Sequence, residues 1–228
     1  MFLYTNYTAA FTLKDNIIIG ISYPIHRKLL FYINTHEPKG IIITGTGFKD
    51  ASTVKQTIHQ LKTLKPGYSP LIAIDQEGGR VTRIKKGVSK FPSFLNIAQS
   101  NSSRYAESLA YQRGKELKAL GIDIILGPVL DVNTVTANPV IGDRSFGVDP
   151  KLVSELGRAT IRGLERAGLL PVAKHFPGHG HTSKDSHLAL PIVKLDKAEL
   201  RTVHISPFAD AIYAGLPAVM ISHVVYTE

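Results

Sequence analysis

With 228 residues, 43% of them hydrophobic, the chain suits one large domain or two small ones and can bury a sizeable core. It has no cysteine, which excludes disulfides, thiolate catalysis and cysteine-ligated zinc. The net charge of +9 comes from 27 basic and 18 acidic residues scattered along the chain, with Lys85-Lys86 the only adjacent basic pair near a candidate site, so a solvated basic face is expected and no nucleic-acid partner.

Residues 1–16 carry no basic start and no long apolar stretch, so no secretory signal is expected. No apolar run approaches the ~20 residues of a membrane helix. A cytoplasmic protein without a membrane partner is the expectation. Residues 17–21 are short and β-branched and read as a buried strand. Pro24 opens a predicted helix with Leu29, Leu30 and Ile33 on its apolar face. Residues 40–43 form the second strand, and residues 51–64 a helix with Val54, Ile58 and Leu61 at helical spacing. Pro66-Gly67 ends it, and residues 71–74 form strand three.

Residues 75–101 read as loop. Ser102 or Ser103 then caps a helix to Leu120 with Ala106, Leu109, Ala110 and Leu117 on one face. Strand four spans residues 122–126, followed by a long polar loop over 131–148. Asp149-Pro150 pairs an N-cap with proline at the first helical position, and the helix runs to about Ala167 with Val153, Leu156, Thr160 and Leu164 inward. Val172-Ala173 mark strand five. A histidine-rich loop, a helix over 197–214 broken near Pro207, and strand six at 218–221 complete the pattern.

Strands that are apolar throughout, alternating with amphipathic helices, predict an α/β fold of parallel strands, either closing towards a barrel or open and doubly wound. The count gives about five βα units plus a sixth strand. Polar loops follow strands three, four and five, the face on which a (β/α)8 barrel carries its active site.

The richest chemistry lies in Lys174 to His187, which holds four histidines, two lysines and an aspartate. Imidazoles suit proton transfer near neutral pH, and Asp185 stands where it could orient His187. The same histidines, His175, His179, His181 and His187, are an alternative metal set, although their spacing is unlike a helical His-Glu-x-x-His motif and no metal is expected. For His179 and His181, plain backbone satisfaction competes with either role. Asp75-Gln76-Glu77-Gly78-Gly79-Arg80-Val81 ends strand three. Asp75 there could accept hydroxyl hydrogens from a polar ligand, while Arg80 and Arg83 read as ligand contacts or ion-pair partners. Gly142-Asp143-Arg144-Ser145-Phe146 lies after strand four. Arg144 offers a planar fork of donors to a ligand, or a structural pair with Asp143 or Asp149.

These motifs, with Lys174-His175-Phe176-Pro177-Gly178-His179-Gly180 and Asp185-Ser186-His187, resemble glycoside hydrolase family 3 over nearly the whole chain. Within the family the chain resembles the bacterial β-N-acetylhexosaminidases of peptidoglycan recycling; the Asp-Ser-His ending argues against the family's β-glucosidases. The resemblance implies a TIM-type (β/α)8 barrel and retaining hydrolysis of terminal N-acetylglucosamine, with no cofactor. By it Asp75, Arg83, Arg144, Lys174 and His175 bind the sugar, and His187 is the general acid/base with Asp185 its partner. It also implies an aspartate nucleophile after a seventh strand. No aspartate follows Asp210 here, and Glu228 is the last residue. The expectation is therefore an incomplete barrel: residues 1–228 form the N-terminal part of the family's barrel domain, inactive alone unless another chain or segment completes it. A non-catalytic amino-sugar binder is the competing expectation.

Overall fold

The computed structural model describes residues 13–45, 47–183 and 190–227. Its main sheet has six parallel strands: Ile18–Ile21, Gly40–Ile43, Leu71–Ile74, Ile124–Ile125, Leu170–Phe176 and Ala218–Ile221. Their order across the sheet is their order along the chain. A doubly wound sheet reverses its strand order at a switch point, whereas a barrel adds each strand beside the last. The sheet is thus TIM-barrel-like, with the first and sixth strands at its edges, where Ile18 and Ile221 are exposed.

Strand alternation explains the two faces. Ile41, Ile43, Ile72 and Ile74 point outward and are fully buried beneath the helices. Ala73, Ile124 and Leu126 form a smaller inner cluster against the partly buried Ile42, Val172 and Met220. A third cluster gathers Phe94, Phe146 and Phe208 with Val153 and Leu156. The helices begin where side chains meet their orphan amides. Asp50 caps Ala51–Lys62 through Ser52 N (2.8 Å), Ser102 caps Ser103–Ala119 through Tyr105 N (3.2 Å), and Asp149 caps Pro150–Arg166 through Lys151 N (2.9 Å). No helix among the described residues is long and apolar enough to cross a membrane.

Several elements differ from expectation. The first helix spans Arg27–His36 and starts after Pro24. The predicted loop over 75–101 contains a hairpin, Gln76–Gly78 against Val81–Thr82, and a short helix, Phe94–Ala98. Strand four is short, but Val129 rejoins the sheet by bridging Lys174, so strand five extends through the start of the histidine loop. The helix over 197–213 is not broken at Pro207. Lys197–Glu199 passes into a π-helical turn, Leu200–Ile205, and then into Ser206–Tyr213. Proline removes a backbone donor. Here the Ser206 hydroxyl donates to Thr202 O (2.8 Å) and supplies one. A second parallel pair, Ile192–Lys194 with Val225–Thr227, stands apart from the main sheet.

Candidate active site

The C-terminal ends of strands three, four and five converge on one cleft. After strand three the chain turns sharply through Gly78 and Gly79, at φ +100° and +53°. A Cβ on Gly78 would lie 2.4 Å from Pro92 O, so only glycine fits there. The Gln76 amide holds the two arms of this hairpin together. It donates to Ile84 O (2.9 Å) and accepts from Arg83 N (2.8 Å) and Ile84 N (3.0 Å). The hairpin thereby presents Asp75, Glu77 and Arg83 to the cleft side of the sheet.

Lys174, brought in by strand five, is 2% exposed and placed 2.6 Å from both Asp75 Oδ1 and Glu77 Oε1. Glu77 also accepts both arms of the Arg144 guanidinium, at 2.9 and 2.8 Å. Burial alone would raise the Glu77 pKa. The Arg144 hydrogen bonds and the Lys174 charge outweigh it and hold the carboxyl at about 2. The same carboxylate raises the Arg144 pKa against the effect of its own burial. Arg83 stands 3.7 Å from Asp75 Oδ2, and its buried Nε has no hydrogen-bond partner among the described residues. Arg113, fully buried behind the hairpin, donates to the Glu77 carbonyl and stacks its guanidinium on Phe91 and Phe94.

His175 is held from below by Asp131, which opens the loop after strand four. Asp131 is fully buried. Its Oδ2 lies 2.6 Å from His175 Nδ1, and its Oδ1 accepts from His175 N (3.2 Å) and His179 N (2.6 Å). Burial would raise the Asp131 pKa, but His175 and these amides pull it below the usual carboxylate value. The Asp131 contact places the proton on Nδ1 and leaves Nε2, 3.5 Å from Arg144, as the polar atom facing the cleft. The loop closes tightly behind: a Cβ on Gly180 would meet Val132 O at 1.9 Å.

Asp75, Arg83, Arg144, Lys174 and His175 all line a cleft of about 420 Å³, with Met220, Ser222 and His223 from the end of strand six. This arrangement of paired cations and carboxylates around a polar cleft can hold a neutral, hydroxyl-rich ligand by hydrogen bonds. An ammonium has three donors, and Asp75 and Glu77 take two from Lys174, leaving one for a ligand oxygen.

The model of the glycosyl hydrolase family 3 N-terminal domain matches residues 24–228. The chain belongs to glycosyl hydrolase family 3. It is 36% identical over 192 residues to a beta-hexosaminidase of Methylococcus capsulatus, covering 83% of this chain and 57% of that protein. Among solved structures, a family 3 beta-N-acetylglucosaminidase from Paenibacillus sp. str. FPU-7 superposes with a TM-score of 0.89 at 36% identity, covering 95% of this chain and 43% of that one. NagZ from Neisseria gonorrhoeae, in complex with N-trifluoroacetyl-D-glucosamine, gives a TM-score of 0.84 at 32% identity, covering 92% and 64%. The chain thus spans about half the length of the curated relatives it matches.

The family 3 cleft gathers every predicted sugar-binding residue. The two expected for proton transfer, Asp185 and His187, lie outside the described residues. Arg144 pairs with neither Asp143 nor Asp149: Asp143 takes Arg80 (2.8 Å), Asp149 caps a helix, and the Arg144 partner is Glu77. Glu77 and Asp131 are the organising residues that sequence reasoning left without a role. Glu77 lies inside the Asp75–Val81 motif. Asp131 carried one signal, an aspartate directly after the apolar Val129-Leu130 at the end of strand four. Of the four histidines considered as one metal set, His187 lies outside the described residues and the other three do not stay together. His175 and His179 pack edge to face at 5.8 Å, whereas His181 packs against His204 from the π-helical turn at 5.5 Å. Burial, with His181 nearby, pushes the His204 imidazole down to about 4.

Proposed function

We propose that this chain carries the sugar-binding cleft of a cytoplasmic β-N-acetylhexosaminidase that releases terminal non-reducing N-acetylglucosamine from saccharides such as cell-wall muropeptides. The convergence of Asp75, Arg83, Arg144, Lys174 and His175 on one cleft carries this reading. The names of the beta-hexosaminidase relatives and the amino-sugar ligand of the Neisseria structure support the choice of sugar. Asp75 accepts from two hydroxyls, while Arg144, Lys174 and the His175 imidazole donate to or accept from the ring substituents and the acetamido group. His187, oriented by Asp185, protonates the departing glycosidic oxygen and then deprotonates the water that releases the sugar.

A retaining mechanism also needs a carboxylate that attacks the anomeric carbon. Asp75, Glu77 and Asp131 are each committed to cations or amides, so none serves. The nucleophile is taken to come from a seventh βα unit of a closed (β/α)8 barrel, supplied by a further segment or a completing chain. Without it these 228 residues bind the sugar but do not turn it over.

The test is hydrolysis of 4-nitrophenyl N-acetyl-β-glucosaminide against 4-nitrophenyl β-glucoside by the protein with its barrel complete. A strong preference for the N-acetylated substrate is expected; a preference for the glucoside overturns the choice of sugar. Turnover by residues 1–228 alone would refute the outside nucleophile. The pairing of the cleft, without a spare carboxylate among the described residues, favours a second reading, an amino-sugar binder, which any turnover by the completed protein removes.

A further inference from the structure

We propose that His181, Glu199 and His204 form a binding site for a divalent transition-metal ion of the zinc class, outside the sugar cleft. One donor atom from each residue lies within 4.8 Å of the others. Two imidazoles and a carboxylate are a donor set for zinc, whereas calcium and magnesium prefer oxygen ligands alone. Zinc ligands stand at ~2.0–2.2 Å from the ion, so the donors must close by roughly an ångström. Glu199 is exposed and free to make that movement.

Three observations point to a ligand. First, His204 is fully buried and neither ring nitrogen has a hydrogen-bond partner among the described residues. A buried polar group left unpaired costs free energy that an ion would remove. Second, the His181 Nδ1 is engaged by the Thr134 hydroxyl at 2.7 Å. That contact orients the ring and leaves Nε2 for the ion, as outer-shell partners do for metal-binding histidines. Third, Glu199 and His204 are five residues apart. In an α-helix they would point about 140° apart around the axis. The π-helical turn, Leu200–Ile205, bonds i to i+5 and brings them to one side.

The site differs from the cleft in its lining. His181 faces a separate pocket with Thr182, Ser183 and Pro191. A bound ion would tie His181 to the helix that carries Glu199 and His204. Three protein ligands leave a fourth position for water or another group.

The test uses the untagged full chain, stripped with a chelator and titrated with zinc in competition with a chromophoric chelator; cobalt then reports ligand geometry through its visible absorption. One zinc per chain and a tetrahedral cobalt spectrum are expected. Glu199→Gln, at an exposed position that leaves folding intact, should weaken binding by roughly tenfold or more, and His181→Ala by roughly a hundredfold. His175→Asn, which alters the cleft, should leave zinc affinity unchanged. No stoichiometric zinc in the wild type overturns the site, as do variants at 181 and 199 that bind like wild type or a loss that follows position 175. None of these readouts depends on glycoside hydrolysis, so the site and the proposed activity can fail separately.

Discussion

His175 stands at the start of the histidine-rich stretch and His204 packs against its His181, and their surroundings treat the two imidazoles oppositely. His175 keeps 16% of its side-chain surface exposed, and a buried carboxylate 2.6 Å away fixes its ring. His204 is fully buried, and its ring nitrogens have no partner among the described residues. Around His175 each buried charge is answered: Asp131 by the imidazole and two amides, Glu77 by Arg144 and Lys174. Such a network is rigid before a ligand arrives, which suits a neutral sugar whose hydroxyls need fixed donors and acceptors. A buried ring without partners is the opposite case, a position that gains by acquiring a ligand.

The sharpest way to break this contrast is Asp131→Ala. It leaves the His175 ring and the amides of His175 and His179 without their acceptor, and a loss of about 3–5 kcal/mol is expected in urea unfolding. A loss below about 1 kcal/mol would mean that the network is not pre-paired. Acid should dismantle the neighbouring pair. The Glu77 carboxyl is lowered from 4.5 to about 2 in the folded protein. The unfolded chain therefore binds the proton first, and this contribution is complete above pH ~4.5 and is lost as pH falls towards 2. Its size is on the order of 3 kcal/mol, and Glu77→Gln should flatten that part of the stability–pH curve. On the other side of the contrast, His204→Leu in the metal-free protein should be neutral or stabilising by about 1 kcal/mol, because it removes unmet polar atoms. With excess zinc the order reverses, since only the wild type gains stability from binding. The smallest effect belongs to the rim pair of Arg80 and Asp143, both more than 40% exposed at the side chain. Asp143→Ala should cost under about 1 kcal/mol, measured by the same unfolding curves.

What could be read from the residues depended on how local the cause was. Strands three and six and the Asp149-Pro150 helix start follow from short runs whose pattern is set within a few positions, whereas the expected sugar-binding set rests on the family resemblance. Barrel-like order over a doubly wound sheet needed the pairing itself. Asp131 and Glu77 look like ordinary loop acids until strands three, four and five bring their partners over from 44 to 97 residues away along the chain. The π-helical turn has no compositional mark, and proline at 207 suggested a break that the Ser206 hydroxyl makes unnecessary. His181 and His204 meet only through tertiary packing, so of the histidines first grouped by proximity in sequence, His175 and His179 pack together while His181 packs elsewhere.

The most direct test of the central claim is a calorimetric titration of N-acetylglucosamine into the chain, beside one of glucose. The account predicts one saturable site for the N-acetylated sugar, weakened at least tenfold by Asp75→Asn or Arg144→Lys, and much weaker binding of glucose. Equal binding of both sugars, or binding unaffected by either substitution, would contradict it.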